Sequence, residues 1–146
     1  MFPQLNITDI THVIQLAIAP VFLLNAVAAI IGVLANRLAR VVDRMRYFED
    51  RKEPFLPEDL LRAQTERDRL ARRLRLIYIA ITFEVFCALF VGLLIIVAFV
   101  DAFVAVNFSK YVAMLFAAAM MAFIGGLVMF LREIFIAISS SRRELR

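Results

Sequence analysis

The hydrophobic positions of this chain fall into three long runs that are separated by charge-rich segments. The first run covers about residues 13–35, the second 77–100 and the third 111–138. A helix needs about 20 residues to cross the hydrocarbon core of a bilayer, and each run reaches that length. In lipid only helices or closed barrels satisfy their backbone polar groups, and these runs are too long for barrel strands. The pattern predicts an all-α, polytopic membrane protein with three transmembrane helices.

The segment between the first two runs, residues 36–76, has a helical pattern of its own. The first apolar stripe comprises Leu34, Leu38, Val41, Met45 and Phe48, and the second comprises Leu60, Ala63, Leu70, Leu74 and Ile77, with Arg67 interrupting it. Such stripes are typical of amphipathic helices, and the prolines of KEPFLP break helix between them. We therefore expect an antiparallel helical hairpin that turns at residues 54–57. Its first arm continues from the first span to about Lys52, and its second arm leads into the second span.

Positive charge predicts the orientation in the membrane. Residues 36–76 contain twelve of the 17 Lys and Arg, the tail from Arg132 contains four, and residues 101–110 contain one. No Lys or Arg precedes the first span. Because basic loops stay in the cytoplasm, the hairpin and the C-terminus are predicted inside and the N-terminus outside. The mixed charges of the hairpin leave two interpretations open. The hairpin is either a solvated helical face or a surface that binds anionic lipid headgroups or an acidic partner.

Composition narrows the class of function. Hydrophobic residues make up 63% of the chain, the net charge is +4, and Cys87 is the single cysteine. No nucleophile set, metal-ligand spacing or glycine-rich phosphate loop is visible, so no enzyme activity, cofactor or metal is predicted. Basic and acidic residues alternate in the hairpin, which argues against nucleic acid as a partner. Haem or pigment ligation by His12, at the outer end of the first span, stays open.

Four polar residues interrupt the inner halves of the spans and are predicted to cluster there: Asn25, Glu84, Arg132 and Glu133. Glu84 lies roughly 10 Å into the second span at helical rise, and we expect it to pair with Arg132 at a similar depth. Glu133 falls on a line of small residues, which predicts that it faces protein rather than lipid. A structural role for this cluster is favoured over a proton or ion path, because the outer half of the membrane is almost purely apolar.

The first span has a seam of small and amide residues along one side. This seam is predicted to be a packing face or the lining of a pore between subunits. Its members are Asn25, Ala29, Gly32 and Asn36. Small residues let helices approach closely, and amides hydrogen-bond across helices. The seam leads into a basic helix that contains Arg37, Arg40, Asp43, Arg44 and Arg46.

The segment AIIGVLANRLARVVDRMR resembles the signature of small bacterial membrane proteins catalogued as domain of unknown function 2721. Their motif N-R-x-x-R-V-V-D-R-x-R maps onto Asn36, Arg37, Arg40, Val41, Val42, Asp43, Arg44 and Arg46. The resemblance covers most of the chain, including the FLREI near the end of the third span. It implies a three-helix protein of the bacterial inner membrane and carries no assigned activity.

These observations predict a small non-enzymatic membrane protein that is homo-oligomeric or an accessory subunit of a larger membrane complex. Its basic cytoplasmic hairpin is the expected docking surface. The alternative is a homo-oligomeric ion channel lined by the first span. Three helices alone bury little polar surface, which is why self-association or a larger complex is expected in either case.

Overall fold

Three long α-helices account for nearly all of the chain that the structure covers. The computed structural model describes residues 7–50, 57–103 and 108–144. Helix α1 comprises Ile7–Glu49, α2 comprises Pro57–Phe103 and α3 comprises Ser109–Glu144. Each helix contains a stretch that is long and apolar enough to cross a membrane. The prediction of an all-α chain with three such helices is confirmed.

Both arms of the segment 36–76 are helical and continuous with the neighbouring apolar runs. Helix α1 extends to Glu49, and α2 begins at Pro57, well before the apolar run that starts near residue 77. Proline suits the first turn of a helix because its missing N–H would have no intrahelical partner there. The predicted turn at 54–57 lies outside the described residues, apart from Pro57.

Hydrogen bonds at two helix ends close the backbone locally. At the end of α1, the N–H of Asp50 donates to the carbonyl oxygen of Arg46 at 2.8 Å. Before α3, the N–H of Phe108 donates to Oδ1 of Asp101 at 2.7 Å. The carbonyl oxygen of Phe108 then accepts from the N–H groups of Tyr111 and Val112. These bonds satisfy groups that a helix terminus leaves without an intrahelical partner.

The helices form two compact units, and each unit contains a part of all three helices. The first unit comprises Met1–Ile30 and Phe83–Ile124, and the second comprises Ile31–Thr82 and Gly125–Arg146. The core of the first unit contains Val27, Glu84, Cys87, Val91, Leu94, Ala119 and Ala122. The core of the second contains Leu34, Val41, Leu70, Ile77, Ala80 and Glu133. One glutamate is therefore fully buried in each unit.

The two predicted stripes of the arms are largely buried. Leu34, Val41, Leu70 and Ile77 are buried, Leu38, Met45, Phe48, Ala63 and Leu74 are partly buried, and Leu60 is exposed. Arg67, which interrupts the second stripe, is exposed. The periodicity thus identified the packing faces, except at the start of α2.

Candidate functional site

Glu133 on α3 joins all three helices of the second unit. Its side chain is fully buried, and its Oε2 accepts a hydrogen bond from Nη1 of Arg37 on α1. Its Oε1 accepts from Nε and Nη2 of Arg73 on α2, at 3.1 and 2.9 Å. Charge-assisted bonds of this kind are roughly twice as strong as neutral ones. We call Arg37, Arg73 and Glu133 the arginine–glutamate clamp.

The clamp has an excess of positive charge, because two guanidinium groups share one carboxylate. Both arginines reach solvent at their edges, with side-chain exposures of 28% for Arg37 and 24% for Arg73. The guanidinium carbon of Arg37 also lies 5.3 Å from the centre of the Phe130 ring. A cation over an aromatic face is attracted to it. This arrangement holds a charge fixed and positions the three helices.

A second ion pair shows that the arms of α1 and α2 run antiparallel. Nη2 of Arg44 lies 3.3 Å from Oε1 of Glu66. Between the clamp and this pair, α1 advances seven residues from Arg37 to Arg44, while α2 goes back seven residues from Arg73 to Glu66. Seven residues are about two helical turns, so both pairs fit one register. The two arms therefore pack antiparallel in the described residues, while a cytoplasmic hairpin that joins them stays a prediction.

A basic groove lies beside the clamp. It has a volume of about 390 Å³, and four arginines line it: Arg37, Arg40, Arg44 and Arg73. Three of these arginines form ion pairs: Arg37 and Arg73 with Glu133, and Arg44 with Glu66. Of the five residues predicted as a basic cytoplasmic helix, Arg40, Asp43, Arg44 and Arg46 are exposed, and Arg37 is partly buried. Arg40 is therefore the groove's arginine without an ion-pair partner among the described residues.

The predicted pair between Glu84 and Arg132 is wrong. Both carboxylate oxygens of Glu84 are buried and have no hydrogen-bond partner in the described part of the chain, and Arg132 is exposed. The prediction places Arg132 at the depth of Glu84 on the assumption that the membrane boundary on the third helix lies at Arg142-Arg143. Because Glu133 pairs with Arg73, α3 instead extends alongside the basic arm of α2. Glu84, eleven residues beyond Arg73 in the sequence, belongs to the other unit.

The prediction that Glu133 faces protein is confirmed by its complete burial. The line of small residues on α3 that carries it is buried or partly buried at each position: Ala118, Ala122, Gly126 and Ala137. Small side chains let neighbouring helices approach closely enough to enclose a carboxylate.

The seam predicted on α1 is exposed along its whole length. Asn25, Ala29, Gly32 and Asn36 are all exposed, and so are Arg40 and Asp43, which continue the same helix face. A Cβ atom added at Gly32 would meet nothing within 4 Å. We call these six residues the polar face of α1. Within one chain this face packs against no other helix at Gly32, so it does not serve as an internal seam there.

Sequence reasoning missed both arginines as partners of Glu133, although a signal was present. Arg37 follows the buried Leu34 by three residues and precedes the buried Val41 by four. Arg73 has the same spacing from two buried residues, Leu70 and Ile77. Positions three and four apart share one helix face, so both arginines belong to the packing stripes. An arginine at such a position needs a buried counter-ion.

Over residues 7–50, 57–103 and 108–144, no group of three or more His, Cys, Asp and Glu side chains could hold a metal ion. Cys87 is buried in the first unit. His12 lies in α1, but its side chain is outside the described part, so haem or pigment ligation stays a prediction.

Three helices that are each apolar and long enough to span a bilayer define a multi-pass membrane protein. The family model described as "Protein of unknown function (DUF2721)" matches residues 17–143. The chain therefore belongs to this family, as its basic motif after the first span predicted. No curated protein and no solved structure matches the chain.

Proposed function

We propose that this protein is a non-enzymatic subunit of the bacterial cytoplasmic membrane that self-associates through the polar face of α1. In this proposal its basic arms, on the cytoplasmic side, dock a partner in a larger membrane complex. The observation that carries the proposal is the exposure of Asn25, an amide inside the first apolar run, on the polar face of α1. Lipid tails offer no hydrogen-bond partner to an amide, so a protein neighbour is required to satisfy it.

A second copy of the chain fits this face better than an unrelated helix does. Gly32 leaves open space between the two asparagines, which permits two α1 helices to approach closely. Asparagine carries both a donor and an acceptor, so Asn36 can pair with Asn36 of another copy. Arg40 and Asp43 are both exposed on this face and can pair reciprocally between two copies. The face is therefore self-complementary, as a twofold interface must be.

The orientation that we propose places the N-terminus outside and the C-terminus and both arms in the cytoplasm. It rests on the twelve Lys and Arg of residues 36–76 and the four from Arg132 onward. Leu61 is suited to testing it because its side chain is 73% exposed. After Cys87→Ala, a Leu61→Cys variant should react with a membrane-impermeant thiol reagent only when the cytoplasmic side is opened.

Exposed apolar side chains on the arms support their role in docking. Tyr47 is 69% exposed and Leu61 is 73% exposed, and both lie beyond the apolar runs of their helices. Outside the bilayer such side chains have no lipid to face, and exposed apolar patches mark protein interaction sites. The surrounding arginines would favour a partner with acidic groups.

A homo-oligomeric ion channel lined by α1 is the second candidate. The exposure of Asn25 and Asn36 at two depths favours it, because both could line a polar pore between copies. The outer part of α1 argues against it. There the exposed side chains are large and apolar, namely Ile14, Ile18, Val21 and Phe22. Ion flux into liposomes that is abolished by Asn36→Leu would favour the channel. Oligomeric protein in liposomes that pass no ions would favour the non-enzymatic, self-associating subunit.

The experiment that tests the proposed interface is disulfide cross-linking in native membranes. In a Cys87→Ala background, cysteines are introduced singly at Gly32, Asn36 and Ala35. Ala35 is the control, since it is exposed and adjacent to Asn36 but turned about 100° around the helix. Oxidation should give covalent dimers with Gly32→Cys and Asn36→Cys and not with Ala35→Cys. Equal cross-linking at all three positions, or none at any, would contradict the proposal.

A further inference from the structure

A groove lies between α2 and α3 in the second unit, and its lining residues come from these two helices. Its volume is about 590 Å³. Its walls include Arg72, Arg75 and Ile79 from α2 and Met129, Arg132 and Phe135 from α3. The groove thus combines three arginines with an apolar wall, a combination that neither self-association nor the arginine–glutamate clamp uses.

The three arginines lie close to one level along the helices. The hydrogen bonds from Arg73 to Glu133 bring these two residues side by side. Arg72 and Arg132 are each one residue before those partners, and Arg75 is two residues after Arg73. At about 1.5 Å of rise per residue, all three fall within one helical turn. Their guanidinium groups are therefore available to a single anionic group in the groove.

No acidic side chain among the described residues neutralises the positive charge of this groove. Arg72, Arg75 and Arg132 are all exposed, and none forms an ion pair with a described residue. No acidic residue is among those that line the groove. This differs from the basic groove beside the clamp, where Glu133 and Glu66 compensate three of the four arginines. An anion bound at Arg72, Arg75 and Arg132 would have no carboxylate lining its site.

We propose that this groove binds an anionic glycerophospholipid. The phosphate would accept hydrogen bonds from Arg72, Arg75 and Arg132, and an acyl chain would lie along Ile79 and Met129. Guanidinium groups bind phosphate with strong, charge-assisted hydrogen bonds, and basic pockets between transmembrane helices bind anionic headgroups.

Two observations favour a lipid over a free anion. The apolar run of α2 starts near residue 77, so the arginines stand at the height where headgroups meet the hydrocarbon. A free phosphate would also leave the apolar wall at Ile79 and Met129 unused. This proposal does not depend on self-association or on which side of the membrane the arms occupy.

Native mass spectrometry of the full chain in detergent, titrated with phosphatidylglycerol or phosphatidylcholine, tests the proposal. The wild-type protein should retain one phosphatidylglycerol per chain and bind phosphatidylcholine at least about tenfold more weakly. The double variant Arg75→Gln/Arg132→Gln should lose at least about tenfold in affinity for phosphatidylglycerol. Arg46→Gln removes one charge from an exposed position outside the groove and should leave that affinity unchanged.

Two further measurements distinguish a lipid site from a site for a free anion. Ile79→Trp fills the apolar end and keeps all three arginines, so it should weaken phosphatidylglycerol binding. Excess glycerol 3-phosphate, which has the headgroup chemistry without chains, should not displace the lipid. Displacement by glycerol 3-phosphate, or no effect of Ile79→Trp, would replace the lipid site with an anion site.

Equal binding of the two lipids by wild-type protein would overturn the proposal outright, and so would wild-type affinity in the double variant. Circular dichroism checks that each variant stays helical. If the double variant does not fold, the comparison of the two lipids on the wild-type protein still decides.

Discussion

Arg73 donates two hydrogen bonds to a single oxygen of Glu133, from Nε at 3.1 Å and from Nη2 at 2.9 Å. The other oxygen of Glu133 is bound by Arg37. One carboxylate therefore fixes the register of three helices, and its removal would leave two guanidinium groups facing a buried space.

Glu133→Gln should destabilise the protein by about 2–4 kcal/mol. Breaking a buried ion pair from one side costs about 3–5 kcal/mol, and the partial exposure of both arginines reduces that cost. Glu66→Gln is the matched control, because it removes the same charge from the exposed pair with Arg44 and should cost under about 1 kcal/mol. Equilibrium unfolding in detergent micelles measures both. Equal losses in the two variants would contradict the clamp.

Salt should distinguish the two ion pairs. The Arg44 side chain is 57% exposed, whereas Glu133 is fully buried. Because dissolved ions screen exposed charges far more than buried ones, raising the salt concentration to about 1 M should abolish the coupling between Arg44 and Glu66. The coupling between Arg73 and Glu133 should persist. Double-mutant cycles at low and high salt provide the comparison, and loss of both couplings would show that the clamp is open to water.

Glu84→Met should stabilise the protein by about 1–3 kcal/mol, the cost of a buried polar group without a partner. The reason is that both oxygens of Glu84 are buried without a partner in the described chain. Glu133→Met, at an equally buried position with two partners, should have the opposite sign. Unfolding of both variants under the same conditions is the test. A loss of stability in Glu84→Met would mean that Glu84 binds a group that a single chain does not supply.

The different surroundings of Glu84 and Glu133 show which features of the fold and the site can be predicted from the sequence. Long apolar runs predicted three helices, and the three-and-four spacing in the arms predicted which faces pack, because both depend on local periodicity. The partner of a buried charge depends instead on how far α3 extends beside α2. Nothing in the local pattern fixes that offset, because the basic pair Arg142-Arg143 resembles a membrane boundary as closely as Arg132 does. Hence the burial of Glu133 was predicted, while its partners were not and the Glu84 pair was wrong.

Gly32→Leu should weaken self-association without unfolding the chain. Gly92 on α2 is the matched control, since an added Cβ meets nothing within 4 Å at either glycine. Gly32 lies between the exposed amides of the polar face of α1, so a larger side chain there separates two copies. Förster transfer between labelled chains in liposomes should fall in Gly32→Leu and stay at the wild-type level in Gly92→Leu. A fall in both would point to a general packing defect.

The most direct test of the account is to count the chains in each complex within a bilayer. Fluorescently tagged protein is reconstituted at low density, and the photobleaching steps of individual spots are counted for wild type and for Asn36→Leu. The account predicts two or more steps per spot for the wild-type protein and mainly single steps for Asn36→Leu. Single steps for the wild-type protein across the range of densities would contradict self-association through the polar face of α1.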